Sequence, residues 1–354
     1  MCEAIHEDTL AAFASPGRAR PALIVALALW LGTVLAASVS GQDSSAHAAP
    51  VPARPPASHL AVTLLGTGYP QPRIDRFGPS TLVRAGDQIL VFDCGRGTSQ
   101  RLWQLGIPLG EVSALFLTHL HSDHTVGIPD LWLTGWLAGP SGHRTEPFVV
   151  LGPPGTRAMM AHLEQAYAAD VRIRTTESKV PPRGVAISAT EIDQGVVYRH
   201  GGVTVTAFTV DHGKWVKHAL GYRVDYAGHS VVISGDTRFN ENLIRFATGT
   251  DVLVHEVALA RPELLPLSPV ARGILNHHTS PEEAGTVFTR VKPRLAVYTH
   301  IVLLTTDARV AAPSIADLVA RTRTTYGGPL EVGDDLTTID IGDSVTVHRW
   351  APSI

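Results

Sequence analysis

The sequence predicts an α+β protein: an αββα sandwich in which two mixed β-sheets pack face to face with helices on their outer sides. Three features carry that expectation. Short apolar or alternating runs recur along the chain, bounded by turn residues, as strands require. Segments with helical spacing stand between them. The runs fall into two β-rich halves built on the same logic, and two such sheets bury their apolar faces against each other.

In chain order, LAVTLLGTG (60–68) is an apolar strand that ends in a glycine turn. STLVRA (80–85) and QILVFDCG (88–95) form a hairpin around Gly86 and Asp87. TSQRLWQLG (98–106) has Leu102, Trp103 and Leu105 at helical spacing, with Gly106 as its stop. ALFLTH (114–119) is a short buried strand, and GIPDLWLTGWLAG (127–139) a helix or helical lining. The second half opens with the strand FVVLGP (148–153) and one amphipathic helix over residues 156–171. VTVTAFTV (203–210) alternates as a strand, and HALGYRVDY (218–226) pairs with HSVVISGD (229–236) through a turn at Ala227 and Gly228. Strand, helix and strand follow in DVLVHEV (251–257), SPEEAGTVFTRV (280–291) and RLAVYTH (294–300). The tail adds one helix over 313–326 and two strands.

The 354 residues, 44% hydrophobic, suffice for one large or two small domains with a proper core. Net charge is −3 without a block of like charge, so no run of the basic kind that marks a nucleic-acid surface is visible. The only cysteines are Cys2 and Cys94, which excludes a cysteine-rich metal site. Arg18 and Arg20 precede the apolar run PALIVALALWLGTVLAAS, and Ala46-His47-Ala48 offers a small-residue cleavage site. This is the order of a secretory signal, read over residues 1–48, with a membrane-anchoring helix as the alternative. APVPARPPAS (49–58) reads as an extended spacer, and the folded domain spans 59–354. Loss of residue Cys2 with the signal leaves a single cysteine and no internal disulfide. The expected location is periplasmic or secreted, with no stable membrane association once the signal is removed.

THLHSDHTVGIPD (118–130) gathers His119, His121, Asp123 and His124 directly after an apolar strand. Side chains that lose water together need a partner, and a divalent ion is the partner that imidazole and carboxylate share. One loop cannot direct all four to one ion. His119 and His121 can converge on one metal while Asp123 and His124 turn to a second. Further ligands are available in His212, Asp236 and His300, each at the end of a predicted strand. Strand ends hold such groups rigidly yet leave them accessible.

HLHSDH followed in order by Asp-His-Gly, SGDTR, HEV, HHTS and YTH resembles the metallo-β-lactamase superfamily, and within it the ribonuclease Z branch and its exported arylsulfatase-like relatives. The resemblance implies the metallo-β-lactamase fold and a site with two Zn²⁺, Mn²⁺ or iron being alternatives. His119, His121 and His212 would hold the first ion. Asp123, His124 and His300 would hold the second, and Asp236 would bridge. Asp93 in LVFDCGRGT would buttress the histidine loop, and His255-Glu256 resembles a supporting acidic motif. Arg96 stands where the family usually carries an acidic residue. His277 takes the place of a histidine that stabilises the transition state and donates a proton, with His278 in the serine position. Trp132, Trp136 and Trp215 are offered as an apolar pocket or as core, and His200, His218, His229 and His278 are unassigned.

The implied chemistry is attack of a metal-bound hydroxide on a phosphodiester or sulfate ester, with Asp123 orienting the water and His277 assisting the leaving group. The apparent export, and the lack of a Gly- and Lys-rich insert in residues 153–184, point to a small-molecule ester rather than tRNA. A β-lactam or lactone hydrolase is the alternative enzyme, an inactive metal-binding protein the alternative class, and a homodimer is possible.

Overall fold

The structure, a computed structural model, describes residues 60–351. The expected signal segment and the whole spacer lie outside the described residues. The strands are β1 (Leu60–Gly66), β2 (Ser80–Ala85), β3 (Gln88–Phe92), β4 (Ala114–Phe116), β5 (Phe148–Gly152), β6 (Ile187–Glu191), β7 (Gly195–His200), β8 (Val203–Val210), β9 (Ala219–Tyr226), β10 (His229–Ile233), β11 (Val252–Ala260), β12 (Leu295–Leu304), β13 (Leu330–Val332), β14 (Thr338–Ile341) and β15 (Val345–His348). One sheet runs β15-β14-β1-β2-β3-β4-β5-β6 and the other β13-β12-β11-β10-β9-β8-β7. Both are mixed. β1, β2 and β3 are antiparallel while β3 to β6 are parallel; β7 to β10 are antiparallel while β10 to β13 are parallel.

The core between the sheets takes alternate residues from each inner face, among them Leu60, Val62, Leu64, Phe92 and Phe116 opposite Val205, Tyr222, Val252, Val254 and Val297. The Phe92 and Phe116 rings stack at 4.9 Å. Tyr222 leans on both from the other sheet, and its hydroxyl donates to the Leu117 carbonyl at 2.6 Å. That bond ties the sheets together directly beneath the histidine loop. The outer faces are covered by separate apolar clusters under the helices. This is the αββα sandwich that the sequence predicts.

Several expectations need correction. Residues 156–171 are not one helix: helices Thr156–Ala166 and Ala168–Thr176 meet at Tyr167. The Tyr167 ring packs edge-on against Trp132 at 6.1 Å, a tertiary contact invisible to local spacing. Helices Glu241–Ala247 and Pro269–Leu275 and the half-exposed strands β6 and β7 carry too little apolar periodicity to be read from sequence. The tail contains three strands rather than two, and its helix spans Ile315–Thr322 behind a Ser314–Asp317 capping box. Trp132 and Trp136 are core, their indole N–H groups donating to Val185 and Pro181 carbonyls, while Trp215 is 86% exposed, so the three share no pocket. No helix among the described residues is long and apolar enough to cross a membrane.

Candidate metal centre

Each expected ligand except His300 is delivered by the end of a strand or the loop behind it; the sequence placed His300 at a strand end, but β12 continues to Leu304. His119 and His121 follow β4, and Asp123 and His124 lie on the single turn Ser122–Thr125. His212 follows β8, Asp236 follows β10, and His300 lies within β12. β10, β11 and β12 are parallel neighbours, so Asp236, Glu256 and His300 lie side by side on or just after adjacent interior strands. Facing sheets then bring the β4 loop against them.

Three nitrogens converge on one side. His119 Nε2 lies 2.8 Å from His121 Nδ1, which lies 3.4 Å from His212 Nε2. On the other side His300 Nε2 and His124 Nε2 stand 3.4 and 3.5 Å from Asp123 Oδ2. Asp236 Oδ2 faces both groups, 3.3 Å from His300 Nε2, 3.4 Å from His124 Nε2 and 3.7 Å from His212 Nε2.

The second ring nitrogens explain the orientation. His124 Nδ1 bonds Asp93 Oδ2 at 2.8 Å, while the Asp93 carboxylate also accepts from Thr118 N and Oγ1, each at 2.8 Å. His212 Nδ1 bonds the His277 carbonyl at 2.8 Å, and His119 Nδ1 bonds Thr118 Oγ1 at 3.0 Å. A histidine tied at Nδ1 in this way offers Nε2 to an ion. Asp93 and His300 both have positive φ, 59° and 41°, a conformation that side-chain-bearing residues adopt at a cost and that clusters at functional sites.

Electrostatics follow from burial and crowding. Burial pushes His119 well below its ordinary pKa and His212 and His278 down to about 4. Burial opposes protonation of His124, yet Asp236 and Asp93 hold its pKa well above the usual value. For Asp236 burial opposes ionisation, and His300 with His124 overcomes it, keeping the carboxyl well below its ordinary range.

The donor set fits a divalent ion. The Nε2 atoms of His124 and His300 are buried and lack a hydrogen-bond partner, although two carboxylates stand within ion-pair range of each. Unpaired buried polar atoms are costly, and coordination would satisfy them. Groups of ligand atoms within 4.8 Å of one another include His119–His121–His212, His119–His124–Asp236 and Asp123–His124–His300.

The supporting residues divide. Glu256 faces the centre, accepting from Thr237 N, Thr279 N and His278 Nδ1 at 3.3, 2.9 and 3.1 Å. His255 does not: strand alternation turns it to the helix side, where its ring meets Phe288 edge-on and bonds the Glu256 carbonyl at 2.6 Å. His277 is half-buried, with its ring 5.0 Å from that of His212. Sequence reasoning missed Thr118, Thr279 and His278, although the first precedes His119 directly and the other two lie inside the quoted HHTS. His200, His218 and His229 take no part in the groups of candidate ligands. Arg96 is exposed, on a cavity wall with Arg73 and Arg76.

A sandwich of two mixed sheets with a histidine and aspartate cluster at its strand ends defines a metallo-β-lactamase-fold hydrolase. The chain belongs to the β-lactamase superfamily: the model of the beta-lactamase superfamily domain matches residues 89–301. It is 36% identical over 290 residues to a ribonuclease Z of Mycobacterium sp. (strain KMS), covering 81% of this chain and 98% of that one. To a ribonuclease Z of Mycobacterium marinum it is 35% identical over 287 residues, covering 80% and 99%. The fold is shared with the metallo-β-lactamase fold protein YhfI of Bacillus subtilis (TM-score 0.60, 17% identity, 80% and 99% covered). It is shared also with the short form of human tRNase Z (TM-score 0.57, 21% identity, 79% and 98% covered).

Proposed function

We propose that the protein is an exported, binuclear zinc-dependent hydrolase of small anionic esters, with a phosphodiester as the preferred substrate and a sulfate ester as the second. The observation that carries this reading is the position of Asp236, whose Oδ2 lies 3.7 Å from a nitrogen of one ligand group and 3.3 and 3.4 Å from nitrogens of the other. His119, His121 and His212 would hold one ion, Asp123, His124 and His300 the second, and Asp236 would serve both. When bound, such ions activate water and neutralise charge on the ester.

The chain's own residues supply the rest. Asp93, Thr118 and the His277 carbonyl hold the imidazoles in the tautomer that presents the free nitrogen. Asp123 orients the attacking water. The His277 ring belongs to none of the ligand groups and lies beside His212, where it can donate a proton to the leaving oxygen. The rim favours an anion. Lys214, Lys217 and Arg238 line an open cavity of about 360 Å³ next to His212, shared with Asp211, which pairs with Arg238, while Lys214 stands over the Trp215 ring. The identity with ribonuclease Z over most of both chains supports a phosphodiester. Residues 156–176 form two helices, the first buried against the core through Met160, in place of a Gly- and Lys-rich arm, which supports a small ester over tRNA. Export rests on Arg18, Arg20 and the apolar run behind them.

The test is a turnover screen of mature protein loaded with zinc or manganese, using chromogenic bis-aryl phosphodiester, aryl sulfate, lactone and β-lactam. The phosphodiester should turn over fastest. Preference for the lactone or β-lactam overturns the substrate assignment, and no turnover by a fully loaded protein favours the inactive metal-binding reading.

A further inference from the structure

His300 differs from the ligands around it in how it is held. His119, His124 and His212 are each fixed by a hydrogen bond at Nδ1, whereas Nδ1 of His300 is buried without a hydrogen-bond partner. Its ring stacks between those of His124 and His278, with centroids 5.2 and 5.4 Å away. Stacking fixes a ring's plane and leaves it free to slide and turn within that plane. The backbone has to supply the rest.

That backbone is irregular at the right place. His255 pairs with Tyr298 and Val257 with Ile301, so β12 carries one residue more than β11 across this interval. The bulge contains Thr299 and His300, and His300 takes its φ of 41° there. A bulge re-aims a side chain, and a positive φ at a residue with a Cβ persists only where the surroundings enforce it. β13 pairs with β12 only over Ala296, Val297 and Tyr298, so the bulge is gripped by loops instead. The Tyr298 carbonyl accepts from Gly333 N–H at 3.0 Å, and Ile301 N–H donates to the Thr67 carbonyl at 2.9 Å. Arg76 Nη1 joins the two grips, donating to Thr67 Oγ1 and to the Gly333 carbonyl at 2.6 Å each.

We propose that Asp335 is a positioning residue for His300: through Thr67 it clamps the β12 bulge and so sets where His300 Nε2 stands. The inference rests on the reading of the cluster as a metal site. The Asp335 side chain is only 4% exposed. Its Oδ1 accepts from both Thr67 N and Thr67 Oγ1, at 2.9 and 2.8 Å. Its Oδ2 accepts from Phe77 N at 2.7 Å and from Arg101 Nη2 at 2.8 Å. A buried carboxylate with four donors makes strong charge-assisted bonds, and Thr67 cannot shift without breaking two of them. The route ends on β12, which delivers His300, while His119, His121 and His212 come from the loops behind β4 and β8. Loss of the clamp should therefore fall on the ion held by Asp123, His124 and His300. An Asp335 that merely staples the tail to the sandwich would cost stability without singling out one ion.

The experiment is competition of metal-free full-length protein with a chromophoric chelator, giving the two stepwise zinc affinities in wild type, Asp335→Ala, His300→Ala and Arg101→Met. His300→Ala identifies which step belongs to the His300 group. Arg101→Met removes the ion pair at Oδ2, leaves Oδ1 on Thr67, and should keep both affinities near wild type. Asp335→Ala should weaken the His300 step by roughly 10–100-fold and leave the other within about twofold. Equal loss at both steps, or loss at neither, in a folded Asp335→Ala overturns the proposal alone. A wild type that binds no zinc overturns the metal reading and this proposal with it. Should Asp335→Ala not fold, Thr67→Val and Thr67→Ser decide, since only serine keeps the hydroxyl bonded to Asp335. Selective weakening of the His300 step in the valine variant, rescued by serine, supports the clamp, and wild-type affinities in the valine variant overturn it.

Discussion

The carboxylate of Asp93 and the imidazole of His124 are joined across a buried 2.8 Å contact between Oδ2 and Nδ1. The same carboxylate takes both the backbone and the side-chain hydrogen bond of Thr118, so it couples the end of β4 to the turn that carries Asp123 and His124. Replacing Asp93 with Ala leaves Thr118 N and His124 Nδ1 without a partner and Thr118 Oγ1 with His119 alone. Metal affinity should fall roughly 10–100-fold, and stability of the metal-free protein by about 2–5 kcal/mol. Chelator competition and denaturant unfolding read the two effects. Unchanged metal affinity in a folded variant would show that Asp93 is structural only.

Asp236 is the group shared by both ligand sets. Elemental analysis of the purified wild type should approach two ions per chain, and Asp236→Ala should lose most of one of them. A wild type that is folded and active without metal sinks the binuclear reading.

His277 separates chemistry from metal binding, because its carbonyl holds His212 while its ring lies outside the ligand groups. His277→Ala keeps that carbonyl, so metal content and thermal stability should stay near wild type. The turnover number should drop roughly 10²–10⁴-fold for an ester with a poor leaving group. The loss should shrink as the leaving group improves, since a better one needs less help from a proton donor. Full activity of the variant on the poor substrate rejects the role.

His255 provides a pH signature away from the metal. Burial lowers its pKa from 6.5 to about 4, although its bond to the Glu256 carbonyl opposes the shift. Between those values the unfolded chain binds a proton that the folded chain refuses. Its contribution is therefore intact above pH 6.5 and is lost as pH falls towards 4. The loss is on the order of 3 kcal/mol for this residue. Wild type and His255→Gln, compared metal-free by urea unfolding, should converge or cross as pH drops through this window. Parallel stability curves contradict the assignment.

N-terminal sequencing of periplasmic or secreted material should begin between roughly Val39 and Ala49, as a signal peptide requires. Recovery of a chain with Met1 intact in the cytoplasm counts against export, and an intact chain in the membrane favours the anchor.

Much of the centre was legible because metal ligation constrains residue type tightly. HLHSDH and the later His212, Asp236 and His300 carry side chains suited to the task, each following an apolar run. His255 misled because it adjoins Glu256, and only strand alternation sends one to the centre and the other to Phe288. His278 could not be told from His277 by sequence, since adjacent histidines look alike until one is buried against Glu256. Trp215 differs from Trp132 and Trp136 only in exposure, which no local pattern encodes.

The sequence by itself determined the strands with strong apolar periodicity, the sandwich architecture and the identity of the candidate ligands, because these depend on residue type and short-range order. Tertiary structure alone decided which nitrogen of each histidine is free, that Asp236 stands between the two groups, and that His278 is held by Glu256. Those facts depend on contacts between residues far apart in the chain. Asp93 meets His124, and His212 meets the His277 carbonyl, only after the two sheets have packed. Burial then makes each contact consequential, since a polar atom removed from water must find its partner within the protein.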